Sequence, residues 1–278
     1  MKTIIFLCSC VFAIDALAFD WNASIEYGAD YSTNPGRDSE DEVEQWIHSP
    51  AISVGVTRES QAIEITADYR AERRLYEQDE DGRFDDESLV TGSGLLTWNA
   101  LPERLIFDVE HFRTESTINA FQSSGPQNRQ VSQRATAGVT YNQRLTSSQL
   151  LSLRGTSSDH SFEETDNDAT VNELELAWVV PMSEVRSWEV FAGYRETEFD
   201  DFSSSDYDSS AFGGRFTSRA PTGELDIELA YTKTEFDSSA RNDVSGVTGE
   251  IELQLGVGTP FQWGVTASRE IGDRLATI

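Results

Sequence analysis

The sequence predicts an all-β fold, an up-and-down antiparallel transmembrane β-barrel of about 12–14 strands. Three observations carry that prediction. Most segments beyond residue 18 alternate apolar and polar side chains. Clipped turns and long polar loops strictly take turns along the chain. Tryptophans and tyrosines gather at the ends of the alternating segments, where a membrane interface would hold them.

The first 18 residues read as a secretory signal peptide. Lys2 supplies the positive charge, residues 4–14 form an apolar run, and Ala16-Leu17-Ala18 fits a small-residue cleavage site. The run is too short to span a bilayer as a helix. Both cysteines, Cys8 and Cys10, lie inside it. A lipoprotein box fits poorly there, because the apolar run continues past Cys10 where a lipoprotein turns polar. The remainder, 19–278, is cysteine-free and is expected to form one barrel domain without disulfides or thiolate chemistry.

Thirteen segments follow. In 21–31, Trp21, Ala23, Ile25, Tyr27, Ala29 and Tyr31 share one side, and Asn22, Ser24, Glu26, Gly28 and Asp30 share the other. Alternate residues of a strand face opposite ways, so this is a wall with one greasy side. The second segment is 46–57. The third, 62–75, sets Ile63, Ile65, Ala67 and Tyr69 against Glu64, Asp68 and Arg70. Next come 89–99 and 105–114, the latter with Asp108 and Glu110 on its polar side. Segments 134–142 and 150–157 precede 172–180, which carries Glu173 and Glu175, and 187–199, which carries Arg195. After 211–218, the eleventh segment opposes Leu225, Ile227, Leu229 and Tyr231 to Glu224, Asp226 and Glu228. The twelfth, 247–257, opposes Ile251 and Leu253 to Glu250 and Glu252, and 261–269 is the last. Short turns are expected near 58–61, 100–104, 143–148, 181–186, 219–223 and 258–260, several carrying Pro or Gly. Long loops are expected at 32–45, 77–88, 115–133, 158–171, 200–210 and 237–246. No fixed-period repeat emerges, which argues against a solenoid.

Trp21, Trp98, Trp178, Trp188 and Trp263 lie at the N-terminus or beside short turns, on one rim of a barrel. Tyr27, Tyr31, Tyr69, Tyr194 and Tyr231 lie toward the long loops, on the other. Two segregated aromatic rims favour a membrane wall over the scattered core aromatics of a soluble β-sandwich.

The net charge is −28. That excludes nucleic acid, whose binding needs basic patches. The six long loops hold 24 acidic residues and four basic ones, Arg37, Arg83, Arg129 and Arg241. Divalent cations at these loops, bridging to lipopolysaccharide, are one expectation. Residues 79–87 are dense in oxygen ligands but fail the EF-hand template, since Phe84 stands at the glycine position and Val90 at the bidentate Glu. No metal site or cofactor is assigned. Catalytic residues are not assigned either: His160, flanked by Asp159 and Ser161 in an expected loop, is the only triad-like grouping, and triads are made by geometry, not by sequence neighbours. The polar strand faces are the remaining candidate. Their mixed charge either fills the barrel with salt bridges or lines water, in which case the acidic excess favours cations.

Tyr31-Ser32-Thr33-Asn34-Pro35 resembles the start of the β-barrel porin type 2 class of bacterial outer-membrane proteins. Leu96-Thr97-Trp98 followed by Pro102-Glu103-Arg104-Leu105 resembles barrels associated with exopolysaccharide and PEP-CTERM surface systems. The resemblance implies an outer-membrane barrel of a Gram-negative bacterium with a porin-like or structural role, accessory to exopolysaccharide export. Its implied partners are outer-membrane lipid and lipopolysaccharide, the barrel-assembly machinery and polysaccharide-export components. The alternatives are a surface protein binding cations, lipopolysaccharide or glycans through its acidic loops, and a barrel hydrolase. Barrels of this kind end in an aromatic, usually Phe, whereas this chain ends Leu275-Ala276-Thr277-Ile278. With thirteen segments, an odd number, this leads to the expectation of a fragment lacking at least one C-terminal strand.

Overall fold

The computed structural model describes residues 19–32, 45–77, 86–118, 129–163, 165, 168–200, 205–238, 241–256 and 261–269. Among them are thirteen strands: β1 (Asp20–Ser32), β2 (Gln45–Glu59), β3 (Ile63–Tyr76), β4 (Glu87–Leu101), β5 (Leu105–Thr117), β6 (Arg129–Arg144) and β7 (Leu150–Phe162), then β8 (Ala169–Ser183), β9 (Arg186–Phe199), β10 (Tyr207–Ala220), β11 (Gly223–Phe236), β12 (Val244–Leu255) and β13 (Trp263–Arg269). They form one sheet in chain order, and every neighbouring pair is antiparallel. The architecture is therefore the all-β, up-and-down meander of a barrel wall, in the strand number expected from sequence. β1 and β13, both odd members of an antiparallel series, run in the same direction. No pairing joins them among the described residues.

The tight turns follow local chemistry. Ser60 closes the first, its hydroxyl accepting from the Ile63 N–H at 3.0 Å and donating to the Ile63 carbonyl at 2.9 Å. At the second, Pro102 precedes Glu103, which takes the left-handed conformation with φ 61°. Pro181 lies inside β8, at a register shift between Pro181 and Ser183. A bulge is where a sheet tolerates a residue without an N–H. The expected signal segment at 1–18, the expected turn at 258–260 and residues 270–278 lie outside the described residues.

Strands run further than alternation alone implied. β6 begins at Arg129, β7 continues to Phe162 and β8 starts at Ala169, so much of the expected loops 115–133 and 158–171 is paired sheet. In the added part of β7, Ser158, Asp159, His160 and Ser161 are polar on both sides. Ladder hydrogen bonds continue where hydrophobic patterning stops, because beyond an apolar band neither face has to be greasy.

A second correction concerns repeats. Phe162, Phe199 and Phe236 end β7, β9 and β11 at a spacing of 37 residues. In each case an aspartate of the following connection accepts a hydrogen bond from the phenylalanine N–H: Asp168 at 2.8 Å, Asp206 at 2.8 Å and Asp243 at 3.3 Å. The clasps are linked in turn. Asp200 donates its N–H to the Asp168 carbonyl and Asp237 donates to the Asp206 carbonyl. Tyr194 to Asp200 and Tyr231 to Asp237 repeat the spelling Tyr-x-x-Thr-Glu-Phe-Asp at the same interval. The unit is a strand pair with its loop and turn, too degenerate elsewhere to stand out as a repeat.

The two faces differ as a membrane wall requires. Side chains of the apolar face are open to the outside, with Ile25 85% and Trp21 74% exposed. Buried hydrophobic residues are few and mostly small, such as Ala51, Ala177 and Ala230. No second layer covers the greasy face, and an apolar surface this extensive needs a partner. No helix among the described residues is long and apolar enough to cross a membrane, which says nothing of a β-barrel. Two polar groups on the greasy face are matched internally. The Tyr27 hydroxyl lies 2.7 Å from His48 Nδ1, and the Tyr69 hydroxyl 2.6 Å from His111 Nδ1. Tyr69 on β3 reaches His111 on β5 by lying over Gly92 and Gly94 of β4. A Cβ on Gly92, where φ is +147°, would sit 2.8 Å from the Tyr69 ring and 2.2 Å from the Asp68 carbonyl.

Two outcomes test this account. Tyr69→Phe leaves His111 without its partner on the lipid side and should lower unfolding stability in vesicles by about 1–3 kcal/mol, read from the urea midpoint. Asp206→Ala removes one clasp and should cost about 1–3 kcal/mol by the same measurement, with Asp206→Asn recovering part of the loss.

Candidate functional site: the charged face of the sheet

The register carries one face continuously from β1 to β13. Glu64, Asp68 and Arg70 of β3 share it with Asp108 and Glu110 of β5, since Thr66 pairs with Leu95 and Leu95 with Glu110. It continues through Arg134 and Arg154 to Glu173 and Glu175, then to Arg195 and Arg215. Glu224, Asp226 and Glu228 on β11 and Glu250 and Glu252 on β12 complete it. The opposite, greasy face holds Trp21, Trp98, Trp178, Trp188, Trp263, Tyr27, Tyr31, Tyr69, Tyr194 and Tyr231. Trp98 stacks on Phe107 at 5.4 Å and Trp188 packs against Phe216 at 5.0 Å, both beside short turns. The sixth tryptophan, Trp46, stands at the other rim against Tyr31, with ring centroids 5.3 Å apart.

Arg215 is the centre of the charged face, and alternation gave no sign of its importance. Its guanidinium donates to Glu228 at 2.6 Å, to Glu189 at 2.6 Å and to Glu175 at 2.7 Å. It lies 4.0 Å from the ring centroid of Phe191, which is only 4% exposed. Glu175 is on β8 and Arg215 on β10, so the bond skips a strand, and Phe191 on β9 is the flat surface it crosses. Such a cation on an aromatic face, desolvated on one side, adds to the ion pairs. Arg70 on β3 likewise reaches Glu26 on β1 across β2, where Ala51 offers no obstruction, and also binds Glu72 at 3.2 Å. Asp108 on β5 approaches Arg154 on β7 at 3.8 Å by lying across Gly138 of β6, where a Cβ would come within 2.4 Å of the carboxylate. Near the loop ends Arg74 joins Glu72 at 2.9 Å and Glu115 at 2.7 Å, and Arg129 adds to Glu115 at 3.3 Å.

Charge is segregated around this face. Four arginines of β6 to β10, Arg134, Arg154, Arg195 and Arg215, line one cavity together with Glu173 and Glu175, and Glu189 stands beside Arg215. On β11 and β12, Glu228 stands directly opposite Glu250 and Asp226 opposite Glu252. Like charges facing one another across a ladder repel, so these carboxylates want solvent or cations between them. Strands β5 to β10 line an open-sided cavity of about 730 Å³ that carries both charges, and a smaller one of about 130 Å³ adjoins the acidic pairs at Arg215.

His160 lies in strand β7, not in a loop. It pairs with Arg134 and faces the cavity, while Asp159 and Ser161 point to the opposite side. Neighbours in a strand cannot converge, so that triad does not assemble. His48 and His111 are engaged by tyrosines on the greasy face. Among the described residues no three His, Cys, Asp or Glu side chains are placed to hold a metal ion. Of the oxygen-rich run at 79–87, residues 79–85 lie outside the described residues. Asp168, part of the Asp166-Asn167-Asp168 run, serves as a loop clasp.

No protein-family model matches the chain and no curated protein matches it. Among solved structures it is similar to a double variant of OccD1 (OprD), with a TM-score of 0.34 and 13% identity over 88% of this chain and 71% of that one. It is also similar to a BenF-like porin from Pseudomonas fluorescens Pf-5, with a TM-score of 0.29 and 8% identity over 89% of this chain and 80% of that one. Neither likeness is strong enough to transfer a solute or a residue.

Arg215→Gln would leave Glu175, Glu189 and Glu228 facing one another without their cation. The expected cost is about 1–3 kcal/mol, between that of an exposed pair and a buried one, measured by urea unfolding in vesicles. Arg215→Lys should recover only part, because an ammonium cannot bridge three carboxylates with a planar fork.

Proposed function

We propose that this chain is an outer-membrane β-barrel that passes small hydrophilic solutes. One observation carries the reading: one face of the sheet is greasy and exposed, and the other presents a charged, roomy hollow where a soluble β protein would have a packed core. In lipid, a spanning sheet is viable once it closes into a barrel, so that every strand finds its backbone partners. The reading includes removal of residues 1–18, residence in the outer membrane of a Gram-negative bacterium, contact with lipopolysaccharide and insertion by the barrel-assembly machinery. A role beside exopolysaccharide export belongs to the same proposal, supported by the resemblance at Tyr31 to Pro35 and Leu96 to Leu105.

Reconstituted in planar lipid, the full chain should give stepwise conductance. Current under a KCl gradient should prefer K⁺, since the chain carries −28 overall and Asp226, Glu228, Glu250 and Glu252 crowd one wall. Asp226→Asn combined with Glu250→Gln should weaken that preference. Absence of conductance from correctly folded protein would overturn passage.

A further inference from the structure

The arginine-rich wall is at odds with a uniformly acidic conduit. Net charge draws cations in, yet the cavity of about 730 Å³ is lined by Arg134, Arg154, Arg195 and Arg215 against Glu110, Glu173 and Glu175. Most of these arginines are committed. Arg215 holds three carboxylates, Arg195 pairs with Glu173 on the adjacent strand, and Arg134 donates to Glu110 at 3.0 Å. Arg154 is not. Its side chain is 55% exposed, and its one ion pair among the described residues is the 3.8 Å approach of Asp108. Directly opposite Arg154 in register stands Glu175, whose carboxylate is turned to Arg215. A guanidinium left with unused donors inside a cavity is a site for a planar oxyanion.

The register orders the rest of the wall in tiers. Phe199, at the long-loop end, faces the cavity together with Phe162. One step deeper come the hydroxyls of Thr136, Ser158 and Thr197, paired in one row across β6 to β9 through Val171. The Thr197 hydroxyl has no hydrogen-bond partner among the described residues although the residue is only 4% exposed. A buried hydroxyl without a partner costs about 1–3 kcal/mol, which a ligand or water can relieve. Deeper again lie Arg195 and then Arg154. Flat apolar surface, hydroxyl partners and a guanidinium, in that order, match a ring that carries hydroxyl groups and a carboxylate. The volume of about 730 Å³ falls within the range of small-molecule sites.

We infer that the cavity between β5 and β10 binds a sugar acid, with its carboxylate on Arg154, its hydroxyls on the Thr136–Ser158–Thr197 row and its ring against Phe199. The site depends on the polar face holding water, as the proposed function requires, but not on passage itself.

Titration of the detergent-solubilised full chain with glucuronate, glucose and acetate tests the assignment by calorimetry. Glucuronate should bind at least ~10-fold tighter than either comparator, because only it uses both the guanidinium and the hydroxyl tier. Arg154→Gln should weaken glucuronate binding by ~10-fold or more, and this variant disturbs only one long ion pair. Phe199→Ala should weaken glucuronate and leave acetate unchanged. Arg144→Gln, at the far short-turn end with Glu103, is the control for general loss of positive charge. Circular dichroism and heat-modifiable gel mobility confirm that each variant is folded. Glucuronate binding no tighter than acetate, or binding that survives Arg154→Gln, would overturn the site. A channel that conducts without distinguishing glucuronate from glucose removes this inference and keeps passage. A protein that binds glucuronate yet never conducts keeps the site and removes passage.

Discussion

Everything in this molecule depends on one constraint: each strand must find its backbone partners in the strand before it and the strand after it, because the described residues form no packed core to hold it otherwise. The buried hydrophobic residues are few and the largest cluster is Ala177, Phe191 and Ala230. Cohesion therefore comes from the ladder and from side chains that tie strands together on either face. In hydrocarbon an unpaired backbone N–H or C=O costs several kcal/mol, so lipid itself enforces the pairing. The outer edges of β1 and β13, unpaired with each other among the described residues, are where this demand is left open.

Given that constraint, the side chains solve a second problem, which is how to place charge on a wall only one residue thick. Strands lie about 5 Å apart, so a bond that skips one must cross roughly 10 Å. A long arginine covers that distance only where the middle strand stays low. Ala51 does this under Arg70, and Phe191 provides a flat surface under Arg215. The shorter Asp108 needs Gly138 beneath it to approach Arg154. The greasy face uses the same device with opposite polarity, laying Tyr69 over Gly92 and Gly94 to reach His111. Small residues in these strands are clearances for a neighbour's side chain, and each skip-strand tie stiffens three strands at once.

The strands themselves were legible in the sequence because the greasy band forces a period of two. Glu64 to Glu72, or Glu224 to Glu228, have no other economical arrangement than one face of a strand. Legibility ended where that forcing ended. Ser157 to Phe162 and Arg129 to Gln133 lie beyond the band, and their ladder positions follow from their partners, not from their own pattern. His160 was misplaced in a loop for this reason. Trp46 departs from the pattern of the other tryptophans, because it stands on the rim otherwise held by tyrosines. The 37-residue spacing of Phe162, Phe199 and Phe236 was visible in principle as Thr-Glu-Phe-Asp written twice, but its meaning lies in backbone hydrogen bonds that spelling does not carry.

Charge segregation was the least legible property, and it follows from topology. A net charge of −28 describes the chain as a string, while a solute meets sectors. Arg134, Arg154, Arg195 and Arg215 are spread over some eighty residues of sequence, and each sits among acidic neighbours along its own strand or the next. Antiparallel pairing folds that interval into five adjacent strands and brings the four cations to one wall. The carboxylates of β11 and β12 are meanwhile stacked opposite each other by their register. Arg134, Arg195 and Arg215 are each paired with a carboxylate within hydrogen-bond reach, whereas Arg154 has only the 3.8 Å approach of Asp108. A wall of this kind screens mobile ions by its sum and selects solutes by its exceptions, so the residue least satisfied by the protein is the one best placed to recognise something else.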